Sequence, residues 1–133
     1  MDITFASRRL RLALPLAAAV LLAACGGSGL GYDKAPAGLD PNSPKLAAAN
    51  LNFDRADLAV PANAPFIIVF ENTEGVTHNV SIYKDAAFQQ RTFEGALFSG
   101  PSTRWYPVPA LAPGTYYFRC DLHDNMTGRI VAS

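Results

Sequence analysis

Several residue types are scarce in this chain of 133 residues, and their scarcity excludes whole classes of protein. The sequence has only two Cys, two His, two Met and one Trp, and charged residues make up 17% of it. Eleven basic residues balance eleven acidic ones, so no basic excess supports binding to nucleic acid. Long stretches without Pro or Gly are few, which disfavours long helices. The hydrophobic fraction of 50% is too high for intrinsic disorder, and the length suits one compact domain.

The N-terminus is typical of an export signal. Three arginines within residues 1–11 precede an apolar run over residues 12–24, which is too short to span a bilayer comfortably. The run ends in LAAC followed by GGSG, and this ending resembles a bacterial lipobox, in which the cysteine is acylated and becomes the first residue of the mature protein. We therefore expect residues 1–24 to be a lipoprotein signal peptide. Cys25 would then anchor the exported protein to a bacterial membrane, facing the periplasm or the cell exterior.

Two other interpretations of this segment stay open. An ordinary secretory signal would be cleaved at a nearby alanine and would leave no lipid. The sequence SRRLRL over residues 7–12 also partly resembles a twin-arginine export signal.

Cleavage before Cys25 leaves 109 residues with 8 basic and 10 acidic side chains. It also leaves one free thiol, Cys120, because an alkylated Cys25 cannot form a disulfide.

The composition changes near residue 46. Residues 25–45 are rich in Gly and Pro and have no helical or strand periodicity, so we expect a flexible linker after the lipidated cysteine. Over residues 46–133, short apolar runs alternate with turn residues, which predicts an all-β sandwich or barrel of about seven to eight strands. The predicted strands cover residues 50–53, 57–60, 65–71, 78–84, 103–108, 115–120 and 128–132.

Alternation within two predicted strands directs rare metal-binding side chains toward the core. The aromatic face of one strand ends with Cys120, and the apolar face of another begins with His78. His123 and Met126 follow Cys120 at intervals of three residues, close enough to converge on one point. A thiolate, two imidazoles and a thioether can therefore meet at one end of the domain.

This donor set is the one that type 1 copper requires. Thiolate and thioether are soft ligands, and two His with one Cys and a weak axial Met are the signature of electron-transfer copper. A Met ligand does not suit structural zinc. A core histidine or a packed methionine is the ordinary alternative for each residue alone, but every His, free Cys and Met of the mature chain falls into this one group. We predict a mononuclear copper site with the ligands His78, Cys120, His123 and Met126.

The sequence over residues 114–131, GTYYFRCDLHDNMTGRIV, resembles the C-terminal copper loop of cupredoxins, the plastocyanin–azurin family. The matching motifs are G-x-Y-x-F-x-C, C-x-x-H and M-x-G-x-[IV], and the tripeptide HNV that begins at His78 resembles the site of the first copper histidine. The resemblance covers about residues 46–133. It implies a Greek-key β-sandwich with one copper ion at one end, which cycles between Cu(I) and Cu(II).

Two features depart from the plastocyanin pattern. Only two residues separate His123 from Met126, which leaves the strength of the Met bond and the reduction potential open. This spacing resembles the dinuclear copper domain of cytochrome oxidase, but Tyr116 stands where a second bridging Cys would be needed. A mononuclear centre is therefore the better interpretation. Arg119, rather than the tyrosine that plastocyanins often have, precedes Cys120, so an electron route through a neighbouring tyrosine is not supported.

The resemblance also implies a function. A cupredoxin with a lipid anchor would be a membrane-tethered one-electron carrier, not an enzyme, and we expect a monomer that does not bind nucleic acid. Its partners would be redox proteins such as a c-type cytochrome or a terminal oxidase, which would dock weakly near His123 and Leu122. The family pattern assigns Asn79 a supporting role, with its amide joining the two ligand loops and its N–H reaching the Cys120 sulfur. The alternative is a periplasmic copper carrier or chaperone, although such proteins usually have exposed Met- or His-rich sites.

Overall fold

Short apolar segments separated by turns form a structure of strands. The computed structural model describes residues 30–133, and this range contains eleven strands and no helix. Consequently, the described residues include no helix that is long and apolar enough to cross a membrane. The strands are β1 (Lys45–Ala49), β2 (Asn52–Phe53), β3 (Asp57–Val60), β4 (Phe66–Asn72), β5 (Thr77–His78), β6 (Ser81–Tyr83), β7 (Arg91–Glu94), β8 (Phe98–Ser99), β9 (Ser102–Val108), β10 (Gly114–Cys120) and β11 (His123–Ala132).

The predicted signal peptide over residues 1–24, the predicted lipidation site Cys25 and the first residues of the predicted linker lie outside the described residues.

Two sheets form a sandwich, which confirms the all-β fold class. The strand order is β2-β1-β4-β9 in the four-stranded sheet and β3-β11-β10-β6-β7 in the five-stranded sheet. A separate two-stranded sheet consists of β5 and β8. The inner faces of the two large sheets bury apolar side chains against each other, as sandwiches require. Core residues of the first sheet include Ile68, Phe70 and Tyr106, and those of the second include Ile82, Phe118 and Ile130.

The start of the domain differs from the strand that the sequence predicts over residues 50–53. The chain already pairs at β1, which runs parallel to β4, and only the last two residues of the predicted strand belong to β2. Asn50 and Leu51 instead form a turn with φ values of 52° and 55°. The sequence of β1, KLAAA, has little intrinsic strand preference, so the pairing partner rather than local propensity makes it a strand.

The predicted strand over residues 78–84 is divided between two sheets. His78 ends β5, which pairs with β8, whereas β6 begins at Ser81 and pairs with β10 and β7. Between them, Asn79 and Val80 are buried outside any strand. The division directs His78 toward one end of the sandwich and leaves the Asn79 side chain free to bond across the core.

The first described residues are packed against the domain, in contrast to the flexible linker expected over residues 25–45. We call residues 30–33 the N-terminal strap. Leu30 exchanges backbone hydrogen bonds with Glu94 and Ala96, and Tyr32 exchanges two with Trp105. Glu94 lies in β7 and Trp105 in β9, the edge strands of the two large sheets. The strap therefore bridges the open edges of the sandwich, where unpaired backbone groups would otherwise face solvent.

Candidate metal centre

The end of the β10–β11 hairpin brings Cys120 and His123 side by side. The strands pair in one register as far as Arg119, where a bulge shifts the pairing so that Cys120 lies opposite His123. A turn of two residues, Asp121 and Leu122, joins them. Directly opposed residues of antiparallel strands have neighbouring side chains, and the Cys120 Sγ lies 3.4 Å from the His123 Nδ1.

His78 reaches the same point from β5. Its imidazole is fully buried, and its Nδ1 lies 3.7 Å from the Cys120 Sγ. The centroids of the His78 and His123 rings are 4.7 Å apart. One potential ligand atom from each of the three residues falls within 4.8 Å of the other two. The structure thus brings together three of the four predicted metal ligands, from strands that belong to different sheets.

Met126, the fourth predicted ligand, lies in β11 three residues after His123. The bulge displaces this part of β11 from β10, and pairing resumes only at Thr127. The Met126 side chain is 1% exposed and belongs to the same buried cluster as Cys120. This placement gives the thioether access to the end of the core where the other donors converge.

The chemistry of the donors fits the predicted copper ion. A buried thiol, two imidazoles and a buried thioether form a mainly soft donor set, and such sets favour copper over hard cations. A structural zinc site would use a fourth strong donor in place of a thioether. Three nearby carboxylates have other partners. Asp121 accepts three side-chain hydrogen bonds, Asp124 pairs with Arg119, and Glu74 contacts the outer nitrogen of His78.

Asn79 links the two chain segments that carry the predicted ligands. Its Nδ2 donates to the Asp121 carboxylate at 2.8 Å and to the Gly95 carbonyl oxygen at 2.9 Å. In return, the Asp121 N–H donates to the Asn79 Oδ1 at 2.9 Å. The hydrogen-bond contacts of the Cys120 Sγ are to the two imidazoles, so the Asn79 N–H is not among its partners. The amide therefore joins the segment that follows His78 to the residue after Cys120.

The Asp121 carboxylate is the shared acceptor for several polar side chains next to the predicted centre. Its carboxylate accepts hydrogen bonds from the Ser81 hydroxyl at 2.6 Å and from the Tyr83 hydroxyl at 2.8 Å, in addition to the Asn79 amide. Burial tends to raise the pKa of Asp121, but the hydrogen bonds from Ser81, Asn79 and Tyr83 outweigh it and hold the pKa below its ordinary value. An ionised, fully partnered carboxylate consequently fixes the residue next to Cys120.

Sequence reasoning did not select Asp121 or Glu74. For Asp121 the signal was its position directly after Cys120, whereas its hydrogen bonds with Asn79, Ser81 and Tyr83 are evident from the structure alone. The signal for Glu74 was weaker, since an acidic residue four positions before a histidine in a loop is common. Both assignments require knowledge of which strands lie side by side.

Several exposed apolar side chains lie in segments that neighbour the predicted ligands in the chain or in strand pairing. Leu122, in the turn between Cys120 and His123, is 55% exposed. Leu51, Val76 and Leu97 are exposed as well and lie in segments next to β2, β5 and β8. Of these, Leu122 lies nearest to the predicted ligands in the sequence, directly before His123.

Comparisons with known proteins agree with the geometry. The family model described as a cupredoxin-like domain matches residues 16–132. Amicyanin-alpha of Methylorubrum extorquens is 31% identical over 125 residues, which cover 93% of this chain and 98% of that protein.

Solved structures show the same fold. The dithionite-reduced auracyanin of Roseiflexus castenholzii superposes with a TM-score of 0.60 at 21% identity, covering 72% of this chain and 99% of its own. Auracyanin A, a blue copper protein of Chloroflexus aurantiacus, has a TM-score of 0.59 at 22% identity, covering 68% of this chain and 98% of its own.

Proposed function

This chain belongs to the cupredoxin-like family, and from that premise we propose that it is a copper protein that carries single electrons between redox partners at a bacterial membrane. The observation that carries the proposal is the convergence of one thiol and two imidazoles within 4.8 Å at the end of the sandwich. The proposed ligands are His78, Cys120, His123 and Met126.

Bound copper would supply a one-electron couple between Cu(I) and Cu(II). The protein would hold the ligands in fixed positions, so that the geometry of the site changes little when the copper ion gains or loses an electron. A tight hairpin end holds Cys120 and His123, and the hydrogen bonds of Asn79 fasten the His78 segment to the same turn. Rigid support of this kind is what outer residues contribute to a metal site.

The exposed surface next to His123 is the proposed point of electron entry and exit. His123 is partly exposed, whereas His78 and Cys120 are buried. Leu122 stands beside His123 with more than half of its surface exposed. A small apolar contact around Leu122 suits the weak, short-lived complexes of redox proteins. A c-type cytochrome or a terminal oxidase is the class of partner that we propose.

Family membership supports a role in electron transfer and not in enzymatic catalysis. Both histidines of the chain are already assigned to the metal, so none remains to build a second, catalytic metal site. The proposed location follows from the N-terminal sequence, in which residues 1–24 would direct export and Cys25 would carry the lipid. The carrier would then face the periplasm or the cell exterior as an anchored monomer.

Delivery of copper to other proteins is the second candidate function. It requires ligands that a partner can reach and exchange. The burial of His78, Cys120 and Met126 favours electron transfer instead, because only His123 offers an accessible edge.

Visible spectroscopy of the protein with Cu(II) tests the metal assignment. We expect an intense thiolate-to-copper charge-transfer band that Cys120→Ser abolishes. Cys25→Ser replaces the other cysteine of the sequence and should retain the band. A colourless Cu(II) complex of the wild type would refute the assignment. Redox titration then separates the two functions, because a carrier of electrons shows a reversible one-electron couple, whereas a copper chaperone loses the metal on reduction.

A further inference from the structure

Glu74 lies between a proposed copper ligand and a left-handed turn. Its Oε1 is 2.8 Å from the His78 Nε2 and accepts the Leu51 N–H at 3.0 Å. Its Oε2 accepts the Asn50 N–H at 3.1 Å. One carboxylate thus contacts the buried imidazole and the two consecutive backbone amides of the turn that joins β1 to β2.

A carboxylate at this position determines which imidazole nitrogen carries the proton. Each oxygen of the Glu74 carboxylate accepts a backbone N–H, from Leu51 at Oε1 and from Asn50 at Oε2, so the group acts as a hydrogen-bond acceptor at this position. The His78 Nε2 must then donate, and in a neutral imidazole the lone pair falls on Nδ1. Nδ1 is the nitrogen that lies 3.7 Å from the Cys120 Sγ.

The turn that holds Glu74 has an uncommon backbone. Asn50 and Leu51 have φ values of 52° and 55°, and a leucine rarely adopts this region. In this conformation the two successive amides converge on the carboxylate, an arrangement that binds anions. The strained backbone is therefore linked directly to the anchoring of His78.

The same turn also contacts the strand of the fourth proposed ligand. The Leu51 carbonyl oxygen accepts a hydrogen bond of 2.8 Å from the Asn125 Nδ2, and Asn125 directly precedes Met126. Through this contact and through Glu74, the Asn50–Leu51 turn touches two segments that are far apart in the sequence.

We propose that Glu74 is a positioning residue of the metal centre. It holds His78 as the Nε2–H tautomer with Nδ1 facing Cys120, and the Asn50–Leu51 turn connects this support to the strand that carries Met126. The proposal rests on the proposed copper function for its consequences, but the tautomer itself belongs to the metal-free protein. It can therefore be tested separately from copper binding.

The first test needs no variant. Two-bond ¹H–¹⁵N NMR spectra of the copper-free, ¹⁵N-labelled wild-type protein report the tautomer of each histidine. We expect His78 to be a single Nε2–H tautomer at a pH where it is neutral. A predominant Nδ1–H tautomer, or rapid exchange between the two, would overturn the proposal. Failure of the wild type to bind copper would instead refute the proposed function and leave this result intact.

The second test compares substitutions at Glu74. Glu74→Ala should allow both tautomers of His78 and should weaken copper binding by about 10–100-fold, the usual effect of losing an outer-shell partner. Glu74→Gln keeps an acceptor oxygen and should preserve the Nε2–H tautomer and recover most of the affinity. Glu71→Gln, which removes an exposed carboxylate on β4, is the charge control and should change neither quantity.

Unchanged affinity and an unchanged tautomer in Glu74→Ala would contradict the proposal. Should that variant fail to fold, the spectra of the wild type and of Glu74→Gln still decide the question. Leu51→Gly retains the amide and tolerates the positive φ, so it should keep the His78 tautomer. Asn125→Ala removes the link to the Met126 strand and should broaden the NMR signals of the turn while leaving the tautomer unchanged.

Discussion

Removal of the Asp121 carboxylate should destabilise the copper-free domain because three buried donors share it as an acceptor. Asn79, Ser81 and Tyr83 donate to this carboxylate and are themselves almost completely buried. A hydrogen bond to a charged group contributes about 1.5–3 kcal/mol. Two features reduce the total, since the Asp121 side chain is 22% exposed to water and Asn79 retains the Gly95 carbonyl oxygen. We expect Asp121→Ala to lower the free energy of unfolding by about 3 kcal/mol.

Urea denaturation of the copper-free protein measures this loss. Asp124→Ala is a matched control, because Asp124 is 94% exposed and makes one ion pair with Arg119. A surface pair of this kind contributes about 0.2–1 kcal/mol. Tyr83→Phe removes a single donor and should cost about 1 kcal/mol. Equal losses for Asp121→Ala and Asp124→Ala would show that the hydrogen bonds to Asp121 contribute nothing beyond a surface charge.

The pH dependence of the same measurement has a defined sign. The pKa of Asp121 is lowered in the folded protein, so its stabilising contribution is present above the ordinary value of 3.8 and is lost as the pH falls through the folded value. The difference between the wild type and Asp121→Asn should therefore be constant near neutral pH and shrink in acid. A difference that grows on acidification would mean that the carboxylate is not held in its ionised form by these donors.

Three other substitutions test separate parts of the molecule. Met126→Leu should retain copper and raise the reduction potential, because the thioether favours Cu(II) more than an alkyl group does; an unchanged potential in voltammetry would mean that Met126 is not a ligand. Gly128→Ala should cost about 1–3 kcal/mol in denaturation experiments, since a Cβ there would overlap the Phe118 ring and lie 2.8 Å from the Ala56 carbonyl oxygen. Cys25→Ser should leave an unprocessed precursor in membranes, whereas normal maturation would indicate an ordinary signal peptide.

Strict alternation made one side of the site predictable from the sequence. In β10 the side chains of Tyr116, Phe118 and Cys120 are buried in turn, as the period of two requires. The short spacing from Cys120 to His123 then left little freedom, because a two-residue turn between antiparallel strands places its flanking residues opposite each other. Local pattern and tertiary pairing agree in this hairpin.

Where local pattern and tertiary pairing disagree, the sequence was a poor guide. The apolar and polar residues after His78 alternate as in a single strand over residues 78–84. In the structure, hydrogen bonds from the buried Asn79 interrupt this strand, and its two ends belong to different sheets. β1 has an alanine-rich sequence that becomes a strand only because β4 offers a partner. The contacts of Glu74 with Asn50 and Leu51 join residues more than twenty positions apart, and no single-sequence pattern contains that information.

If the proposed lipid anchor is present, the N-terminal strap limits how far the domain can move from the membrane surface. With Cys25 acylated as proposed, only five residue steps separate the anchor from Leu30, whose backbone is already bonded to β7. Such a stretch spans at most about 18 Å. Electron exchange would then be confined to a thin layer above the headgroups, where a partner embedded in the same bilayer meets the protein at high local concentration. Lengthening the GGSG stretch would thicken that layer and extend exchange to soluble partners at greater height.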